Sequence, residues 1–504
     1  MLEHKYVFFK GISYSYLYIF IYLITGILTT PMLLNHFQAD YFALLMLVYT
    51  LITYLNNIRF GLPESLAALL AKSKDNFFNI YIVKKVFLLL VLLVVVSLIL
   101  LQIVEIFIID WRVILGDVYS LNKEDVINVL YILIFFALIR IPLDISLSAF
   151  IGFHEVYLEK IYKIVNLVAN FILVIFVVYT DKNIVFFALL AGLLDFFVSL
   201  ISFLHMWIKY KFSQLKLYKT EITNTMLFKT GLLFWQLSIT QTIIFGAGII
   251  IVSHILSLQD VTVYSLAMKV FTYIFYAFTI INTVLAPLYG KYFARGQWKD
   301  IKKIFHTMIL ILPLFGGFIW MSIIYFMSNI IVIWTGSDEF YIGSLFILFF
   351  GLFFYLTGYV NSYITLLYSI GEVKSIIFLR WFEVTINIII SILLTYLFGL
   401  VGIAIGVSLS IALVSTRLLP RYIESQTNGK LLVNFSFHKK QFLIVLLPNV
   451  IIAFLVTTLC DIFVIKFIFF ILMSSLYFGI SWYILATNDK LYIISLIKFK
   501  KDIA

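Results

Sequence analysis

The chain has 504 residues, 63% of them hydrophobic and only 12% charged, with a formal net charge of +11. Soluble domains carry about 25% charged residues, so a soluble enzyme is excluded. The positive charge is assigned to membrane-topology loops rather than to a nucleic-acid partner.

About fourteen apolar stretches follow one another, each near the roughly 20 residues that cross a bilayer as a helix. Met1–Lys10 lead into an apolar run to Pro31 without a small-residue cleavage site, which makes 12–34 the first span rather than a signal peptide. Tyr14, Tyr16, Tyr18 and Tyr22 crowd it; they either stack on sugar rings or reflect a chain with 32 tyrosines. Span two, 41–71, carries Arg59 ahead of Phe60-Gly61-Leu62-Pro63. Gly and Pro there predict a kink or hinge, tolerable where helices bend around a cavity. Span three is 86–109. Span four, 126–149, places Arg140 one turn before Asp144 with Pro142 between, a pair able to neutralise itself. Span five is 157–179. Span six, 184–208, holds Asp195 at mid-span without a local partner; it is either a coupling-ion carboxylate or an interhelical hydrogen bonder.

After a basic segment come spans seven, 227–256, and eight, 261–290. Lys269 lies a third of the way along span eight with no acidic residue within a turn. It either pairs across helices or faces a water-filled cavity, and the cavity is the expectation. Spans nine to fourteen are 305–334, 341–369, 375–397, 399–418, 441–460 and 463–486. On span eleven, Arg380 and Glu383 can pair at i,i+3, which leaves Glu383 as either a structural partner or a coupling group. His205 and His254 fall near span ends. Asn170, Asn387, Gln236, Gln241 and Asn282 read as interhelical hydrogen bonders. The single cysteine, Cys460, reads as a packing residue.

With the N-terminus in the cytoplasm, 29 of the 36 lysines and arginines fall in inside segments and 4 outside; Arg59, Arg140 and Lys269 lie within spans. That asymmetry puts both termini in the cytoplasm. The longest outside loop, about Asp110–Asp125, is too short for a catalytic domain. No Walker loop, His/Cys metal spacing or Gly-x-Ser-x-Gly elbow occurs, so no enzyme, cofactor or metal is expected.

Ile151-Gly152-Phe153-His154-Glu155-Val156 echoes Ile370-Gly371-Glu372-Val373. The pairs Val156/Val373, Lys163/Arg380 and Asn170/Asn387 are each 217 positions apart. Two parallel six-span units are expected, as in transporters with a site between two lobes. The expected organisation is an N-terminal lobe (1–210), a basic cytoplasmic linker (211–225), a C-terminal lobe (226–420) and an appendage of spans 13 and 14 with a tail (421–504). The fold class is all-α, polytopic, with about fourteen transmembrane helices in two pseudo-symmetric six-helix lobes plus two.

The six-plus-six-plus-two pattern resembles the multidrug/oligosaccharidyl-lipid/polysaccharide exporter superfamily. The resemblance is carried by Asp40-Tyr41-Phe42-Ala43, by Arg59-Phe60-Gly61-Leu62-Pro63-Glu64-Ser65-Leu66 leading into Ala71-Lys72, by Tyr264-Ser265-Leu266-Ala267-Met268-Lys269 and by Ala286-Pro287. Within it the chain looks most like the Wzx-type polysaccharide repeat-unit flippases, which are similar to the fourteen-span peptidoglycan-precursor flippases. The resemblance implies a V-shaped pair of lobes that alternate access to a central cationic cavity in a bacterial inner membrane. It implies an undecaprenyl-diphosphate-linked oligosaccharide as substrate, with a polysaccharide polymerase and a chain-length regulator as partners. Arg59 and Lys269 fall at positions matching cavity arginines of the peptidoglycan-precursor branch, and Asp40 at an acidic one. Span one departs, having no basic residue beyond Lys10, which favours a different glycan. Arg140 joins Arg59 and Lys269 as a candidate substrate contact; Asp195, Asp144 and Glu383 are candidate ion-coupling groups. The alternatives are a multidrug exporter of the same fold, a membrane polysaccharide polymerase or glycosyltransferase, and a non-transporting scaffold.

Overall fold

The computed structural model describes residues 2–73, 75–107, 115–116, 118, 120–212, 224–427, 429, 431, 440–460 and 462–484. The expected linker 211–225, the outer loop after 107 and the tail after 484 lie largely outside them. Among the described residues every regular element is helical. That is the physical requirement in lipid, where each backbone polar group must be satisfied within its own segment.

Helix α1 runs Leu2–Leu55 and a single 3-10 turn Asn56–Arg59 follows it; α2 is Leu62–Leu70 and α3 Asn76–Phe107. Next come α4 (Lys123–Leu143), α5 (Ile145–Gly152), α6 (Val156–Tyr179), α7 (Ile184–Lys209), α8 (Asn224–Ile255) and α9 (Leu258–Ala294). The remainder are α10 (Trp298–Thr335), α11 (Ser344–Ser369), α12 (Val373–Leu413), α13 (Ser415–Gln426), α14 (Leu447–Leu459) and α15 (Phe463–Ile484).

Among the described residues, eleven stretches are long and apolar enough to cross a membrane. Two of these, of 50 and 51 residues, are far longer than the roughly 30 Å hydrocarbon core allows at 1.5 Å per residue. The long helix of each is broken by a residue with non-helical dihedrals, Gln38 (φ 64°, ψ 171°) in α1 and Gly399 (φ 58°, ψ −138°) in α12. The chain reverses at both. Tyr18 and Arg59, on opposite sides of Gln38, line one cavity. Beyond Gly399, Gly402 packs so closely on the Leu394 carbonyl that a Cβ would collide with it, and Gly406 meets Ser391 in the same way. With both breaks counted and the 37-residue α9 added, the described residues form fourteen spans of a polytopic membrane protein.

Helix α3 shows how such a span is patterned. Leu88, Leu92, Val95, Val96 and Ile99 are exposed along one face, while Val83, Val86, Leu90 and Val94 are buried along the other. The exposed face is as apolar as the buried one because its solvent is lipid, and helical periodicity alone separates them.

The chain forms two compact units, Met1–Lys269 and Val270–Ala504. The division falls inside α9, so α8 packs with the N-terminal helices. In the first unit span two breaks where Gly and Pro predict it. Phe60 (φ 47°) and Gly61 (φ 68°) are both left-handed, and Pro63 then sits in the first turn of α2, where its missing N–H costs nothing. Gly61 lies against Gly231 of α8 with no space for a Cβ, and Phe60 packs on Trp235, with ring centroids 5.4 Å apart.

The two copies of the repeated segment end their helices with the same hydrogen bonds. Glu155 N donates to Phe150 O at 2.8 Å and His154 N to Ile151 O at 3.0 Å. Their counterparts 217 positions on are Glu372 N to Leu367 O at 2.9 Å and Gly371 N to Tyr368 O at 3.2 Å. The left-handed residue closing each turn is His154 (φ 62°) in one and Gly371 (φ 88°) in the other. In the first, Glu155 also accepts from Lys209 Nζ at 2.6 Å and from the Tyr210 hydroxyl. Burial and the Glu155 carboxylate push that phenol well above its ordinary pKa.

In the second unit, Arg380 Nη1 donates to both oxygens of Glu383 at 3.0 and 3.1 Å, and Ser415 Oγ donates to the same carboxylate. Glu383 is fully buried there. Helix α15 is pinned to α10 by Tyr477, whose hydroxyl donates to Leu314 O at 2.9 Å beside Gly317.

Candidate functional site: a polar cavity beside Arg59

A polar cavity of about 420 Å³ lies within the first unit. Its walls come from the first half of α1, the break before α2, the first turn of α2, and α4 to α7. Span two supplies Asn56, Arg59 and Glu64, all on the interrupted segment. The break places Arg59 on the wall instead of inside a continuous helix.

Helix α6 supplies Glu159, Tyr162, Lys163 and Asn166. Their spacing of three, one and three residues puts them on one face of the helix. Glu159 is only 2% exposed, and its carboxylate is held by Lys163 Nζ at 2.6 Å and Lys160 Nζ at 3.0 Å. The Tyr162 hydroxyl is hydrogen-bonded to His205 Nδ1 at 2.8 Å, and Ser202 to Ser146 at 2.6 Å.

Arg140 is fixed between two carboxylates. Its Nη1 donates to Asp195 Oδ2 at 2.8 Å across to α7, and its Nε lies 3.2 Å from Asp144 Oδ2. The other carboxylate oxygens are occupied too. Asn170 Nδ2 donates to Asp195 Oδ1 at 3.1 Å, and Ser199 Oγ to Asp144 Oδ1 at 2.7 Å. The guanidinium is thereby held in one orientation, and the three ionised groups carry one net negative charge.

Three cations therefore line the cavity, and Arg140 and Lys163 are committed to carboxylates. Arg59 is half-buried and makes no hydrogen bond or ion pair among the described residues. An uncommitted guanidinium at a half-buried position is a binding group for an anion, because its planar fork matches phosphate or carboxylate oxygens in pairs.

The structure brings Arg59, Arg140 and Asp144 to the cavity, with Asp195 directly behind Arg140. It does not bring Lys269 there. The Lys269 ammonium donates to Thr30 Oγ1 at 3.0 Å and lies 5.0 Å from the centre of the Phe42 ring. Lys269 thus bonds across helices to α1, eight residues before the Gln38 break. Asp40 lies two residues past that break and accepts from Ser120 Oγ at 3.1 Å. Glu383 belongs to the second unit, in its pair with Arg380. The sequence reading missed Asn56, Glu159, Tyr162 and Asn166; for the last three the signal was the helical spacing of polar residues along α6.

Residues 237–393 match the model of the MatE family. Over 206 residues, 40% of this chain, the sequence is 22% identical to a protein of Salmonella typhimurium named "Putative O-antigen transporter". The match spans about half (47%) of that relative's length. Among solved structures, "Lipid II flippase MurJ, inward closed conformation" is similar with a TM-score of 0.67 at 14% identity, over 94% of this chain and 99% of that one. An inward-facing multidrug resistance MATE family transporter of the MOP superfamily is similar with a TM-score of 0.63 at 13% identity, over 81% of this chain and 95% of that one. The protein has the fold that these flippases and transporters share.

Proposed function

We propose that the protein is a flippase that moves a lipid-diphosphate-linked oligosaccharide, such as an O-antigen or capsule repeat unit on undecaprenyl diphosphate, across the bacterial inner membrane by alternating access. The observation that carries the reading is the uncommitted guanidinium of Arg59 on the wall of a polar cavity of about 420 Å³. A diphosphate cannot enter hydrocarbon without replacing its hydration, and an uncommitted cation with hydrogen-bonding neighbours replaces part of it. Lys269 lies outside that cavity, bonded to a neutral hydroxyl rather than a carboxylate, so its charge stays available to a phosphate at another point of the path. Asn56, Tyr18 and Tyr162 beside Arg59 suit a glycan. The matches to an O-antigen transporter and to the lipid II flippase fold support the same reading.

Asp144 and Asp195 are the groups proposed to couple transport to an ion gradient. Together with Arg140 they form a net negative cluster on a transmembrane segment, where one added proton or sodium ion would neutralise it. Glu383, sealed in its pair with Arg380, is assigned to structure.

The test is performed in a host lacking the protein. Lipid-linked repeat units are extracted and their leaflet is probed from the outer side. Complete units trapped on the cytoplasmic side, and released by the intact gene, establish flipping. Units already reachable from outside but unpolymerised would instead indicate a polymerase. Unchanged glycans with altered resistance to cationic drugs would indicate a drug exporter.

A further inference from the structure

Two lysines share one carboxylate on the wall of the Arg59 cavity. Glu159 is buried, with Lys163 Nζ 2.6 Å from its Oε1 and Lys160 Nζ 3.0 Å from its Oε2. Among the described residues neither ammonium meets a second acidic group. The trio therefore carries one net positive charge. The two lysines stand differently. The Lys163 side chain is 41% exposed and lines the cavity, whereas that of Lys160 is 20% exposed and does not. Tyr18 of α1, which also lines the cavity, has its ring centre 5.3 Å from Lys160 Nζ and 5.8 Å from Lys163 Nζ. Both ammonium groups thus meet at one edge of the cavity.

A diphosphate joining a sugar to a lipid carries one negative charge on each phosphate. Arg59 matches one of them. Arg140 cannot match the other, because Asp144 and Asp195 both hold it and outnumber it. In a simple ion pair, freeing the cation strands a buried anion, which is costly. Glu159 is not in that position. When Lys163 turns away on its flexible stem, Lys160 stays on the carboxylate and keeps it neutral. Resting on the flippase reading above, we infer that Lys163 leaves Glu159 to bind the second phosphate, and that Lys160 is the positioning residue that releases it. The cavity then meets the two charges of the diphosphate with two cations, one from the break before α2 and one from α6.

The experiment measures binding to the full-length protein in lipid nanodiscs. The probe is undecaprenyl diphosphate carrying one N-acetylhexosamine, with undecaprenol as the uncharged control. Lys163→Gln should weaken binding of the diphosphate about tenfold, the worth of one charge-assisted contact. Lys160→Gln removes no lining group, yet it should weaken binding about as much, because Glu159 then retains Lys163. Adding Glu159→Gln to Lys160→Gln frees Lys163 again without changing the net charge, and binding should recover at least about fivefold over Lys160→Gln alone. Full binding by either single variant overturns the inference and leaves the flippase reading, which Arg59 carries, intact. A Lys160→Gln loss that Glu159→Gln fails to reverse makes Lys160 merely structural and overturns the sharing. If the unaltered protein binds the diphosphate no better than undecaprenol, the flippase reading itself falls, and the inference with it.

Discussion

Arg140 on α4 and Asp195 on α7 are 55 residues apart in sequence and 2.8 Å apart in space. Asp144 holds the same guanidinium at 3.2 Å, so one cation serves two carboxylates. Removing the cation and removing one anion are therefore unequal operations. Arg140→Ala leaves two carboxylates side by side on a membrane-spanning segment. It should destabilise the protein by about 2–3 kcal/mol, somewhat below the roughly 3–5 kcal/mol of a fully buried pair because the site opens on a cavity. Asp195→Asn leaves a neutral Arg140–Asp144 pair and should cost about 1 kcal/mol or less. Thermal unfolding of the two variants in detergent checks the order; a costlier Asp195→Asn would contradict it.

Arg59 makes no hydrogen bond or ion pair among the described residues. Arg59→Ala should leave stability within about 0.5 kcal/mol while lowering transport of lipid-linked glycan by about tenfold or more, the worth of one charge-assisted contact. Arg59→Lys keeps the charge but loses the fork, and partial activity is the expected result. Full transport by Arg59→Ala together with Lys269→Ala would refute the phosphate-binding role of both.

Gly61 and Gly231 face each other where α2 crosses α8, and neither can carry a side chain without displacing the other's backbone. Gly61 also has a positive φ of 68°, so Gly61→Ala adds backbone strain to the collision. It should cost about 2 kcal/mol or more. Gly231→Ala meets the Phe60 carbonyl at 2.7 Å from within an ordinary helix and should cost less. Comparing the two unfolding temperatures separates collision from strain.

The repeated turn offers a matched pair of substitutions with opposite signs. Gly371→Ala places a Cβ at φ 88° and should destabilise by about 1 kcal/mol. His154→Gly relieves the same position in the other copy and should be neutral or stabilising, by up to about 1 kcal/mol. Equal effects at both sites would show that the two turns are held by different forces.

The fourteen-span pattern could be read from the sequence because lipid imposes a single length and a single polarity on every crossing. The break at Arg59 was equally open to reading, since Phe60-Gly61-Leu62-Pro63 can hardly continue a helix. Asp195 was located but its partner was not, because Arg140 reaches it across two helices and no spacing rule links residues 55 apart. The partner of Lys269 was out of reach in the same way. Its depth in the span was visible, whereas the direction it faces depends on how α9 packs on α1. Glu159 was hidden for another reason. Beside Lys160 and Lys163 it looks like part of a solvated charged loop, and only the fold shows it 2% exposed.

The shared turn at His154 and Gly371 bears on how the chain is made. Every hydrogen bond that closes it joins residues five or fewer positions apart. Bonds that short cost little loop entropy and require no distant partner. Each turn can therefore form as soon as its own residues leave the ribosome, before the opposing helices have been synthesised. The spans on either side, α4 and α5 with α6 in one copy and α11 with the first part of α12 in the other, are then ready-made hairpins for entry into the bilayer.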